Sequence, residues 1–282
     1  MYKSVIDCST VAQHLTDPEW IIVDCRYYLG NVDAGRNAYL QTHIMGAVYA
    51  DLHHDLSGPP LTDHGRHPLP SVDQLVSVFE RLGISNGSQV VAYDDISGAF
   101  AARLWWLLQY LGHESVAVID GGWQSWLAEQ LPTGSGVEEN PRGQFTAYPD
   151  NTCWITAAQV NSAKLLVDSR DPARYRGENE PLDPAAGHIP GAINHFWKNN
   201  LAQNGLFLRP EQIAQQFNQF LGQTVVTDSV FYCGSGVTAC HNLLAATYAG
   251  FPMPRLYAGS WSDWCSDPTR PVATGNEAGV LN

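Results

Sequence analysis

The sequence predicts a tandem α/β protein, in which each half has a mainly parallel central sheet covered by helices on both faces. Two observations predict this. The first is an internal repeat. "IIVDCR" at 21–26 returns as "LLVDSR" at 165–170, and "HIMGA" at 43–47 returns as "HIPGA" at 188–192. "VVAYDDISGAFAARLWWLLQYLG" at 90–112 lies over "SVFYCGSGVTACHNLLAATYAG" at 229–250, and "GGWQSWL" at 121–127 over "GSWSDWC" at 259–265. The order is kept and the offset drifts only from about 145 to about 138 residues, so chance is a poor explanation. The second observation is the alternation of short apolar runs with helix-length segments. Such alternation indicates parallel strands covered on both faces.

The strands follow in order. "IIVDC", "VVAYD" and "VAVID" in the first half, and "LLVDS", "VFYC" and "RLYAG" in the second, are brief runs rich in Val, Ile and Tyr. Between them, 71–83 and 211–221 have helix length, and "TACHNLLAATYA" stops before Gly250, a residue suited to a helix C-terminus. Residues 131–152, with "LPTGSGVEENPRG", have linker composition. The expected organisation is therefore 1–130, a linker at 131–152, and 153–282.

Composition narrows the function. Hydrophobic content of 44% with 15% charged residues belongs to a globular chain with a real core. A net charge of −13 opposes nucleic acid and anionic membranes as partners, and a small anionic substrate would need a locally positive site. The N-terminal "MYKSVIDCSTVAQHL" does not read as a secretory signal, and no apolar run reaches membrane-spanning length. The six cysteines (Cys8, Cys25, Cys153, Cys233, Cys240 and Cys265) include no CxxC pair. Reduced thiols and a cytoplasmic location are the expectation, with every cysteine but Cys233 a small buried hydrophobe.

Cys233 is the exception because of its setting, "YCGSGVTACHN". It stands where a strand ends and a helix begins, the usual position for a ligand in parallel sheets. In the repeat, Asp94 takes the place of Cys233, so the fold itself does not need a thiol there. Gly234 and Gly236 allow the loop to curl, bringing backbone N–H groups onto sulfur at a helix N-terminus. Ser235 and Thr238 add hydroxyls. The expected result is an anion cradle with a nucleophilic thiolate at its centre. A cysteine phosphatase would need an arginine near the end of such a loop, and Val237-Thr238-Ala239 supplies none.

"CGSGVTA" after an apolar strand, together with "VDSR…GHIPGAI", resembles the rhodanese superfamily. More narrowly, the whole chain is similar to the two-domain thiosulfate and 3-mercaptopyruvate sulfurtransferases. The resemblance implies tandem rhodanese-like domains, the first without an active-site cysteine. It also implies a covalent route, in which Cys233 accepts sulfur as a persulfide and passes it to a thiophile such as cyanide, a thiol or a thioredoxin-like protein. Gly234, Ser235, Gly236, Val237 and Thr238 match the loop that holds the transferred sulfur. Members that prefer thiosulfate carry Arg and Lys directly after the cysteine, and Gly234 and Ser235 here follow the mercaptopyruvate pattern. In that pattern Ser235 works with a histidine, matched by His67, and an acid. His53 occupies the expected acid position, with Asp51 or Asp55 as substitutes. Arg176 matches the first of two arginines that grip the substrate carboxylate. Asp183 stands where the second belongs, leaving Lys198, Arg174 or Arg66 to supply the charge. No metal or organic cofactor is implied. Thiosulfate as the main donor, and a non-catalytic binding module, are the alternative readings.

The remaining conspicuous residues have simpler expectations. Arg26 and Arg170 recur after "VD" and should pair with Asp24 and Asp168, while His43 and His188 should tie loops. Cys240 and His241 have no usual zinc spacing with Cys233 and should pack or be solvated. The paired tryptophans should be packing residues.

Overall fold

The structure, a computed structural model, describes residues 1–59 and 65–278. The chain forms two compact units that exchange segments. The first comprises Met1–Gly58, Pro70–Asp150 and Leu201–Phe207; the second comprises Pro59–Leu69, Asn151–Asn200 and Leu208–Asn282.

The first unit contains β1 (Val5–Ile6), α1 (Cys8–Ala12), β2 (Trp20–Asp24), α2 (Ala34–Gln41), β3 (His43–Ile44), β4 (Val48–Tyr49) and α3 (Val72–Arg81). It continues with β5 (Gln89–Tyr93), α4 (Ala101–Tyr110), β6 (Val116–Ile119), α5 (Gly122–Ala128) and β7 (Thr133–Gly134). Five strands form a parallel sheet in the order β1-β6-β5-β2-β4. Its central strand, β5, is buried along its whole length, which is why "QVVAY" is nearly unbroken by polar residues. At α3 the Ser71 side chain accepts from the Gln74 N–H at 3.2 Å, satisfying one of the donors a helix start leaves unpaired.

Of the expected linker, residues 131–150 belong to this unit. Within them β7 pairs antiparallel with β3, and Phe145 is buried edge-on against Phe79, ring centroids 5.3 Å apart. At Gly143 a Cβ would come within 2.1 Å of the Ile84 carbonyl oxygen, so only glycine allows that close approach.

The second unit contains β8 (Trp154–Ile155), β9 (Leu165–Asp168), α6 (Pro172–Tyr175), β10 (Ala192–Asn194), α7 (Pro210–Leu221), β11 (Ser229–Tyr232), α8 (Ala239–Tyr248), β12 (Arg255–Tyr257) and α9 (Ser260–Trp264). Its parallel sheet has the order β8-β12-β11-β9-β10, position for position that of the first unit. The tandem α/β expectation is therefore met. The edge strands β1, β4, β8 and β10 went unforeseen because runs of two or three residues carry no readable period.

The repeat is also chemical. Arg26 pairs with Asp24 and Arg170 with Asp168, each with an Nη2–Oδ2 distance of 2.6 Å and each fully buried. Each guanidinium also lies over a tryptophan, Arg26 at 4.8 Å from Trp123 and Arg170 at 4.6 Å from Trp261. His43 and His188 sit against the carbonyls of Tyr39 and Tyr175, at 2.7 and 2.8 Å, and stack on those same tyrosines. Trp126 and Trp264 donate to the Pro132 and Pro271 carbonyls. Each core closes around these groups, with Ile22, Val91, Tyr93 and Trp126 in one unit and Leu166, Val230, Tyr232 and Trp264 in the other. Among the described residues no helix is long and apolar enough to cross a membrane.

Candidate active site

β11 ends at Tyr232, α8 begins at Ala239, and the intervening loop curls around the Cys233 sulfur. Burial pushes the thiol up, but the Thr238 hydroxyl and the backbone N–H groups of Ser235, Ala239 and Val237 outweigh it. The net effect holds the thiol below its ordinary range, which raises its thiolate share. Gly236 makes the curl possible. Its φ is +75°, and a Cβ there would lie 2.2 Å from the Ala258 carbonyl oxygen.

The start of α9 holds this loop in place. The Ser260 Oγ accepts from the Cys233 N–H at 3.1 Å and donates to the Tyr257 carbonyl at 2.9 Å. The N–H groups of Trp261 and Ser262 donate to the carbonyls of Cys233 and Gly234 at 3.0 and 2.9 Å. Ser260 does this from a left-handed backbone, φ 55°, which a residue with a side chain seldom adopts. Its counterpart Gly122 has φ 56°, so the second unit keeps the conformation and adds a hydroxyl.

In the first unit the same junction holds Asp94. One carboxylate oxygen accepts from the N–H groups of Ile96 and Gly98, both at 2.8 Å. The other accepts from Phe100 and Ala101, at 2.7 and 2.8 Å. That cradle is built for an anion and filled by the chain's own carboxylate.

Around Cys233 the second unit gathers further polar groups. The Ser235 Oγ lies 2.8 Å from the Nδ1 of His67, and both residues are buried. His67, numbered within the first half, belongs by its contacts to the second unit through the segment Pro59–Leu69. Arg66 pairs with Asp183. Arg174 reaches Glu180 at 2.7 Å and Asp183 at 3.2 Å, and Glu180 also takes Arg170 at 3.2 Å. Asp183, expected as a gap in the charge pattern, is thus a shared counter-ion for two arginines. Burial raises its carboxyl, with Arg66 and Arg174 acting in the opposite sense.

Arg176 lies elsewhere. Its guanidinium pairs with Glu178 at 2.7 Å and lines a surface depression with Tyr175, Ile193, Asn194 and Asn276. Of Arg174 and Arg176, it is Arg174 that lies beside the loop, with its Nη1 3.4 Å from where a Gly234 Cβ would be. The reason is helical phase: α6 is one turn long, and two residues at about 100° each face opposite ways. Lys198 lies over Phe196 and Trp197 at 6.0 and 5.5 Å. Among the acids considered for His67, Asp51 accepts from the N–H groups of His53 and His54, and Asp55 pairs with Arg81. His53 itself is 2.6 Å from the Tyr27 hydroxyl.

All six cysteines are free thiols, and the least buried is Cys265, not Cys233, which is only 2% exposed. Of the five cysteines expected to be small buried hydrophobes, Cys8, Cys25, Cys153 and Cys240 are buried and Cys265 is only partly so. Cys240 and His241 are fully buried on α8, with the Nδ1 of His241 3.3 Å from the Asn200 amide. Among the described residues no three His, Cys, Asp or Glu side chains are grouped to hold a metal ion.

Known proteins resemble this chain over most of its length. A family model described as a rhodanese-like domain matches residues 7–129 and again 155–267. A probable 3-mercaptopyruvate sulfurtransferase of Pseudomonas aeruginosa is 46% identical, over 96% of this chain and 98% of its own. A putative thiosulfate sulfurtransferase of Mycobacterium tuberculosis is 38% identical, over 90% of each. Among solved structures, the 3-mercaptopyruvate sulfurtransferase of Leishmania major superposes with a TM-score of 0.83 at 33% identity, covering 92% of this chain and 73% of its own. With two rhodanese-like domains and these relatives, the chain belongs to the two-domain rhodanese family and is a sulfurtransferase, an enzyme that carries sulfur from a small-molecule donor to an acceptor.

Proposed function

We propose that the chain moves sulfur from 3-mercaptopyruvate, through a persulfide on Cys233, to a thiophilic acceptor. The observation that carries this reading is the convergence of the Thr238 hydroxyl and three backbone N–H groups on the Cys233 sulfur. The thiolate attacks the donor sulfur, and an S–S bond forms as the carbon–sulfur bond breaks. The electron pair goes to carbon as the enolate of pyruvate, which takes a proton to become pyruvate. Ser235, 2.8 Å from His67, relays that proton. The cradle of Gly234, Ser235, Gly236, Val237 and Thr238 then holds the negative outer sulfur. An acceptor such as cyanide, a small thiol or a thioredoxin-like protein attacks that sulfur, and the Cys233 thiolate leaves. Arg174, rather than Arg176, binds the donor.

Two observations favour 3-mercaptopyruvate. Gly234 and Ser235 bring no cation to the positions after the nucleophile, and several relatives bear that activity in their names. Thiosulfate is the second reading, supported by the name of the mycobacterial relative. On either reading the catalytic domain is 153–282 completed by the segment that carries His67, and the enzyme works in the cytoplasm.

The test is a comparison of kcat/KM for the two donors, with mass spectrometry of Cys233. The expected result is one added sulfur, reversible by cyanide, and a higher kcat/KM for 3-mercaptopyruvate. A preference for thiosulfate beyond about tenfold, about 1.4 kcal/mol in transition-state binding, reverses the choice of donor.

A further inference from the structure

We propose that Ser260 is a positioning residue, whose hydroxyl bridges the ends of β11 and β12 and so fixes where the Cys233 sulfur stands in its cradle. This inference rests on the reading of Cys233 as the sulfur carrier. It begins where the ladder between the two strands stops. Phe231 and Leu256 are the last residues paired. Beyond them the Cys233 N–H donates to the Ser260 Oγ at 3.1 Å, and that hydroxyl donates to the Tyr257 carbonyl at 2.9 Å. One buried side-chain oxygen thus joins the two strands past their last backbone pairing.

The first unit shows what the hydroxyl adds. There the ladder between β5 and β6 stops at Ala92 and Val118, and Gly122 takes the place of Ser260. The Trp123 N–H donates to the Asp94 carbonyl at 2.7 Å, as that of Trp261 does to Cys233 at 3.0 Å. A Cβ on Gly122 would lie 2.2 Å from that Asp94 oxygen, so the first unit has no room for a side chain. The second unit makes room for one and keeps it at φ 55°, a region that glycine enters without steric cost. A serine held against its backbone preference, with a strand end on each side of its oxygen, points to the hydroxyl as what the position serves.

Three consecutive residues hold the backbone at the nucleophile. The Ser260 Oγ takes the Cys233 N–H, the Trp261 N–H its carbonyl, and the Ser262 N–H the carbonyl of Gly234. The donors to the sulfur come from further along the chain, from Ser235, Val237, Thr238 and Ala239, with Gly236 seated against the Ala258 carbonyl. Sulfur and donors meet only where these two supports agree, because a hydrogen bond weakens steeply with distance and angle. Without the hydroxyl, the buried Cys233 N–H and the Tyr257 carbonyl lose this partner. The Cys233 backbone then shifts to find another, and the sulfur moves off the centre of its donors.

The experiment uses the full chain and two variants, Ser260→Ala and Ser260→Gly. Alanine keeps the Cβ, and glycine takes the φ that Gly122 already has, so a change common to both belongs to the hydroxyl. One readout is the pH profile of Cys233 alkylation by iodoacetamide, without donor. The other is the rate at which Cys233 gains sulfur from 3-mercaptopyruvate, followed by mass. Both variants are expected to move the profile to higher pH and to slow both reactions about fivefold at neutral pH, the scale of one hydrogen bond. Ser229→Ala removes another buried hydroxyl of β11, one that donates to the Val226 carbonyl, and is expected to leave the profile in place. The titratable and charged groups around the loop are His67, Arg66, Arg174, Asp168, Arg170, Cys240, His241, Tyr257 and Asp263, and no side chain among them bonds to the Ser260 hydroxyl. A profile unchanged in both variants, or moved in only one of them, overturns the inference, and so does an equal shift in Ser229→Ala. If the unaltered chain gains no sulfur on Cys233, the carrier reading falls, and the alkylation profile still decides for or against Ser260.

Discussion

The loops at 94–101 and 233–239 are two solutions to one problem, how to satisfy the N–H groups exposed where a central strand turns into a helix. In the first unit the loop supplies its own anion, Asp94, which takes four backbone N–H groups. In the second it supplies a thiol, and the same kind of convergence turns structural capping into chemistry. Their acidities move in opposite directions. Burial raises the Asp94 carboxyl in spite of its donors, whereas the donors around Cys233 prevail over burial and lower the thiol. A carboxylate so placed is an inert plug. A thiolate so placed is stabilised and remains a nucleophile.

Exchanging the occupants tests that comparison most severely. Cys233→Asp should fold, fill its cradle as Asp94 does, and transfer no sulfur above background. A variant that still gained sulfur in a mass measurement would end the assignment of Cys233. Emptying the first cradle comes next. Asp94→Ala strands four buried N–H groups, and at about 1–3 kcal/mol for each unsatisfied donor a loss of about 4 kcal/mol or more is expected in urea unfolding. A loss below about 1 kcal/mol would mean that the carboxylate is not what caps that loop. The smallest change removes one donor from sulfur. Thr238→Val should shift the alkylation profile of Cys233 to higher pH and slow the reaction about tenfold at neutral pH. The sign follows from the thiolate being the reacting form: the rate rises with pH through the folded-state pKa, and losing a donor raises that pKa. An unchanged profile would show that the backbone alone sets the acidity.

The repeat made the tandem fold legible, because strands buried on both faces keep their apolar runs and their sequence order. The cradle was legible for a similar reason, since Asp94 against Cys233 isolates a difference within a shared frame. What escaped was orientation. Arg174 and Arg176 are equally polar in sequence, and only the phase of a single helical turn separates them. Asp183 read as a missing cation because a charge pattern does not reveal that a carboxylate holds two arginines in place. Ser260 gave no signal either, as its value lies in a backbone angle it shares with a glycine.

The exchange of segments between the units bears on how this protein can be divided. Pro59–Leu69 is numbered with the first half but belongs to the second unit, while Leu201–Phe207 does the reverse, with the Phe207 N–H donating to Asp120 at 2.8 Å. A gene cut at the apparent boundary near residue 150 would yield two fragments, each missing a piece lodged in the other. The C-terminal fragment would keep Cys233 and its whole loop yet lack Arg66 and His67. The repeat in the sequence and the compact units of the fold therefore do not share their boundaries.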